Sequence, residues 1–145
     1  MRLPMNPSHA PETTPTLPIA LEKAIEADAG FAEAHHHLGR LLVLMDQLPR
    51  AVTELREASQ QEPNEPQVHE DLADLLAATG HAAEAVTEYN HVLALRPDQL
   101  LAHLGLGMVL LSQHRAVEAR LHLQAAANSS DPEIAHTARR LLEQL

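Results

Sequence analysis

Slid against itself by 34 residues, the 145-residue chain gives three gapless segments, 32–65, 66–99 and 100–133, with matching residue types at matching places. Position 4 is histidine in each (His35, His69, His103), and position 7 is leucine (Leu38, Leu72, Leu106). Position 8 is small (Gly39, Ala73, Gly107), and so is position 20 (Ala51, Ala85, Ala119). Position 24 is large (Leu55, Tyr89, Leu123), and position 27 carries Ala58, Val92 or Ala126. Pro63 and Pro97 stand at position 32, with Pro132 one place late. A period of this length denotes stacked supersecondary units, none of which buries its apolar face alone.

Each unit reads as an antiparallel helix pair. A small residue after the leucine at position 7 lets a second helix approach closely, and the alanine at 20 does the same from the other side. The large residue at 24 fills the space between them, and the proline at 32 ends one hairpin before the next begins. Composition points the same way. Apolar residues make up 45% of the chain but are nearly all Ala and Leu, with one Phe, one Tyr and no Trp, which argues against β and most α/β architectures.

The pattern resembles that of tetratricopeptide repeat proteins, which carry an aromatic at 4, Leu-Gly at 7–8, Tyr at 11, Ala at 20, an aromatic at 24, Ala at 27 and Pro at 32. The match spans about 100 residues in register. It implies an all-α, antiparallel helix-pair solenoid, a right-handed superhelix of about eight helices. The chain departs from the pattern at position 4, where histidine replaces the aromatic, and at position 11, where Leu42, Leu76 and Leu110 replace tyrosine. Asp46 and His114 occupy the turn position at which Gly80 keeps the expected glycine.

Five prolines fall within residues 1–18, so a disordered leader is expected over 1–17, with a polyproline-type ligand as the other reading. No apolar run follows Arg2, so the segment does not read as a secretory signal and the chain is expected to be cytoplasmic. The repeat domain is expected over 18–145. Residues 18–31 read as an unpaired helix, with Leu21, Ala24 and Ile25 on its apolar side and Gly30 as its stop. This helix either caps the array, belongs to a longer array, or pairs its open side with a second copy to give a homodimer. At the other end Asp131 reads as an N-cap and Pro132 as the first helical residue, opening a capping helix over 134–145 with Ile134, Ala138, Leu141, Leu142 and Leu145 on one side.

In a tetratricopeptide array the first helix of each pair lines a concave groove, so the resemblance assigns positions 2, 5, 6, 9, 12 and 13 to a binding face. The residues singled out are His36, His37 and Arg40 at one end, Glu70, Asp71 and Asp74 in the middle, and Leu101, Leu104, Met108 and Leu111 at the other. Three carboxylates at i, i+1 and i+4 repel one another unless a cation is near. Residues 66–99 carry six acidic residues and one arginine, a net charge of −5. The expected ligand is therefore a basic, partly apolar peptide or helix from a protein partner. The clamp of Lys, Asn and Arg by which some repeat proteins hold chaperone carboxylate tails has no counterpart here, since only Arg40 fits and Asp71 would repel a carboxylate.

Other function classes are argued against. Ten basic against twenty acidic residues, a net charge of −10, make a poor footprint for nucleic acid or an anionic membrane. The absence of cysteine removes disulfides, thiolate metal sites and thiol nucleophiles. Eleven histidines raise the question of a metal, but His35, His36 and His37 fan out by about 100° each, and no two histidines are four apart. The ladder His35, His69, His103 is spaced by whole helices and reads as packing residues, so no metal site and no cofactor are expected. No phosphate loop, GxSxG elbow or HExxH is present, and no enzyme activity is expected. The reading is an interaction module or adaptor; the alternatives are a recruiting domain of a larger bacterial enzyme and a self-assembling scaffold.

Overall fold

The computed structural model describes residues 17–28 and 30–145. It contains eight helices among the described residues and no strand: α1 (Leu17–Ala27), α2 (Ala32–Leu44), α3 (Leu48–Gln61), α4 (Pro66–Ala78), α5 (Ala82–Leu95), α6 (Leu100–Ser112), α7 (Ala116–Ala127) and α8 (Pro132–Glu143). Helices α2 and α3, α4 and α5, and α6 and α7 pack as pairs; α3 leans on α4 and α5 on α6, while α1 covers α2 and α8 covers α7. The expectation of a leader over 1–17 falls outside the described residues except for Leu17, which is already helical.

The repeat positions form the core in layers. Leu38, Leu72 and Leu106, with Leu42, Leu76 and Leu110 one turn later, are fully buried. From the second helix of each pair come Ala51, Ala85 and Ala119, then Leu55, Tyr89 and Leu123, all buried. At position 8 the helices of the first and third pairs lie too close for a side chain. A Cβ added to Gly39 would lie 2.6 Å from Leu55 Cγ, and one added to Gly107 would lie 2.7 Å from Leu123 Cδ2. In the second repeat the same two positions are Ala73 and Tyr89, both buried.

The turns inside the pairs are built alike. Gln47, His81 and Arg115 donate their N–H groups to Leu42, Leu76 and Leu110, while Asp46, Gly80 and His114 donate to Val43, Ala77 and Leu111. These are Schellman motifs, which place the residue after the helix in the left-handed region. Accordingly Gly80 has φ 82°, and Asp46 and His114 adopt φ 58° and 60°. The turn geometry thus persists where glycine does not. Between pairs, Pro66 and Pro132 open α4 and α8, with Glu65 and Asp131 accepting from the N–H groups of Gln67 and Glu133. The first helix stops at Ala27 rather than reaching Gly30, and beyond it the Asp28 side chain accepts from the Gly30 N–H at 3.0 Å. At the far end Ala135 and Ala138 are buried, and Leu145 lies beyond the helix, 37% exposed.

The histidines at position 4 do more than fill space. Nδ1 of His35 and of His69 lies 2.6 Å from Glu54 and Glu88, nineteen residues on and across the helix pair. His69 and His103 donate from Nε2 to the carbonyls of Pro63 and Pro97. Each such histidine ties the first helix to the second. In the third repeat the carboxylate is replaced by His122, whose Nδ1 lies 3.0 Å from that of His103.

Two outcomes follow from this packing. Gly39→Ala gains about 1 kcal/mol of helix propensity but overpacks a buried leucine at a cost of about 1–3 kcal/mol, so denaturant unfolding is expected to show a net loss. Burial and the charge of His103 hold His122 below the usual imidazole range, with Glu118 opposing. A group whose folded pKa is depressed contributes stability above its unfolded value and loses it as the pH falls. His122→Glu recreates the pairing of the other repeats, so its melting temperature relative to the native chain is expected to rise between pH 7 and pH 5. A difference independent of pH would contradict this.

Candidate functional site

The face made by α2, α4 and α6 carries the residues singled out from the sequence, but it does not present them equally. His36, half-buried, reaches across to α4, with Nε2 2.6 Å from Asp71 Oδ2. Arg40 Nε lies 3.7 Å from the same oxygen. Gln67, one turn earlier on α4, donates to the other oxygen of Asp71 at 2.9 Å. His37 stays largely exposed and faces Glu33, one turn back on its own helix, at 3.4 Å.

The three carboxylates of α4 are therefore not a free acidic patch. Asp71 faces His36 and Arg40 in the middle of α2, and the Arg40 guanidinium is the nearby positive charge. Glu70 is 6% exposed and accepts from Gln99 Nε2 at 2.9 Å, on the approach to α6. Burial pushes the Glu70 carboxyl above the usual range; the Gln99 hydrogen bond opposes this, while Asp74 and Asp71 add to it. Asp74 keeps an open edge but accepts a hydrogen bond from the Tyr89 hydroxyl of α5. Crowding by the surrounding walls raises its carboxyl despite that bond, and Asp71 raises it further. Burial, followed by the charge of Asp74, pushes the Tyr89 hydroxyl well above its ordinary range. Room for the ring comes from α6, where a Cβ on Gly105 would lie 2.6 Å from the tyrosine hydroxyl.

The apolar end is also divided. Leu101 and Met108, seven residues apart on one face of α6, are each 49% exposed. Leu104 between them is 8% exposed and belongs to the core, and Leu111 is half-buried against it. Val43 and Leu44, at positions 12 and 13 of the first repeat, are also open, and Leu44 is 84% exposed. They border a cavity of about 360 Å³ that Arg40 of α2, Leu48 and Leu55 of α3, and Asp71, Asp74, Leu75 and Ala78 of α4 also line. The internal partners Tyr89 and Gln99 were missed because they lie on or beyond the second helix, outside the positions that define the groove.

Two tetratricopeptide repeat family models match the chain, over residues 20–75 and 70–133. No curated protein matches its sequence. The solved structure of YrrB, described as a TPR protein with an unusual peptide-binding site, superposes with a TM-score of 0.77 at 22% identity, covering 85% of this chain and 64% of YrrB. A structure of MamA superposes with a TM-score of 0.76 at 14% identity, covering 98% of this chain and 94% of MamA. A second MamA structure gives 0.72 at 17% identity, over 87% of this chain and 64% of the other. The chain thus spans less than two thirds of the YrrB chain. At these identities the likeness is one of fold.

The buried carboxylate yields a signed expectation. A carboxyl whose folded pKa is raised contributes stability below its unfolded value and loses it as the pH rises through the folded one. Glu70→Gln keeps an acceptor for Gln99 and removes the buried charge. It is expected to raise the melting temperature at pH 7, with the gain fading as the pH falls to about 4, the ordinary carboxylate range. A loss of stability at pH 7 would mean that the charge itself is needed.

Proposed function

The chain belongs to the tetratricopeptide repeat family, and on that premise we propose that it is a non-catalytic adaptor that captures a basic, partly apolar segment of a partner protein along its concave face. The observation that carries this reading is the exposure of Leu44, Leu101 and Met108 on the face that also holds Asp71 and Asp74. Leu44 borders the cavity between α2 and α4, while Leu101 and Met108 stand open on α6; exposed aliphatic side chains on one face favour an apolar anchor. Asp71 and Asp74 each have internal partners, but a carboxylate offers about four acceptor sites, so each retains capacity for a Lys or Arg of the ligand. Apolar contact then supplies most of the affinity, and the carboxylates set orientation and register.

The peptide-binding site named for YrrB supports a peptide as the ligand class. A second reading, self-assembly, is favoured by one observation: no residue of α1 is buried, and Leu17 and Ile19 are exposed. Under that reading α1 pairs with a second copy, and the mass measured by light scattering rises with concentration.

Panning a displayed peptide library on the native chain and on Leu44→Asp/Met108→Asp tests the groove. Both side chains are exposed, so the variant is expected to keep its helical circular dichroism. Peptides enriched on the native chain are expected to combine Lys or Arg with large aliphatic residues, and to bind the variant at least about tenfold more weakly, the loss of one good anchor. Equal binding by both proteins would move the site off this face.

A further inference from the structure

We propose that His69, Glu88 and His91 form a divalent transition-metal site on the flank of the second helix pair, with zinc as the ion that fits it best. His69 comes from α4, and Glu88 and His91 come from α5. One ligand atom from each lies within 4.8 Å of the other two. A set of two imidazoles and one carboxylate, with no thiolate, is a recognised zinc donor set that leaves a coordination position open.

The hydrogen bonding of His69 gives the set its direction. A backbone carbonyl only accepts, so at 2.8 Å from the Pro63 oxygen the Nε2 atom of His69 carries the hydrogen. Nδ1 is then the atom turned towards Glu88, with Oε2 at 2.6 Å. At that separation the two atoms share a hydrogen bond, whose proton a metal ion would displace. An imidazole whose other nitrogen donates to a main-chain carbonyl has the support found behind metal-bound histidines. His91, three residues after Glu88 and so on the same face of α5, brings Nδ1 to 3.7 Å from that same oxygen. Its ring meets the His69 ring edge-on, with centroids 5.0 Å apart.

Ligand atoms about 2.0–2.1 Å from a tetrahedral zinc stand about 3.4 Å from one another, a separation bracketed by the 2.6 and 3.7 Å found here. Binding therefore asks for a small opening of one pair and a turn of the exposed His91 ring. The site gives onto a cavity of about 460 Å³, which provides the open coordination position with access to water. The one arginine on that cavity's lining, Arg56, is held by Glu84 at 2.7 Å.

The set is peculiar to the middle repeat. At the places of Glu88 and His91 the first repeat has Glu54 and Glu57, and the third has His122 and Ala125. No metal is expected from adjacent histidines that fan out, from histidines four apart, which are absent, or from a ladder spaced by whole helices. This set spans two helices, joined by the nineteen-residue step across the pair.

Calorimetric titration of zinc chloride into the full chain at neutral pH tests the site. The native protein is expected to bind one ion saturably and to melt at a higher temperature with zinc than with chelator. His91→Ala, at an exposed position, and Glu88→Gln are each expected to weaken binding at least about tenfold, the lower end of what loss of even an outer-shell partner costs. His36→Ala/His37→Ala is expected to bind as the native chain does, and cobalt is expected to give a four-coordinate visible spectrum that His91→Ala lacks. Absence of saturable binding by the native protein, or binding and a cobalt spectrum that survive His91→Ala, would overturn the proposal.

Discussion

The approach of the two helices within each pair is the constraint on which everything else rests. In the first and third pairs it is tightest at position 8, where Gly39 and Gly107 leave no space for a Cβ beside Leu55 and Leu123; in the second pair Ala73 holds that place, buried like Tyr89. Because protein interiors are packed near the density of organic crystals, one extra carbon at either glycine cannot be absorbed by a void. With that distance fixed, Leu38, Leu72 and Leu106 stack into one core, and each pair presents its first helix to the same face.

The same closeness explains the polar chemistry between the helices. A histidine at position 4 replaces an aromatic in the pattern and could have served as packing alone. Instead its ring nitrogens reach a side chain nineteen residues on and, in His69 and His103, the carbonyl of a residue six back. A buried polar group is costly unless it is hydrogen-bonded, and these partners make the histidine a tie between helices. Reading the ladder as packing was incomplete for a definite reason: the partners Glu54, Glu88 and His122 sit at position 23, which the repeat pattern leaves unassigned. Their own 34-residue spacing was the available signal.

The face made by α2, α4 and α6 shows how a charged cluster changes meaning when its surroundings are known. Three acidic residues within one turn suggest a surface waiting for a cation. In the folded chain His36 and Arg40 approach Asp71, Gln99 holds Glu70, and Tyr89 holds Asp74, so much of the acidity ties one helix to another. What remains open is more aliphatic than the charge count implies, with Leu44, Leu101 and Met108 at the surface and Leu104 withdrawn into the core.

The sequence by itself determined the repeat length, the helix pairs, the identity of the core layers and the closing motif at Asp131 and Pro132. All of these depend on local spacing, on backbone chemistry or on a pattern stated three times over. Only the tertiary structure decided which polar side chains meet. Glu88 and His69 are nineteen residues apart, and Tyr89 and Asp74 fifteen, yet each pair is in contact because a turn folds one helix back along the other. Burial at the groove was likewise decided in three dimensions, since a residue on a helix's outer face is covered or open according to the helix that comes to lie beside it.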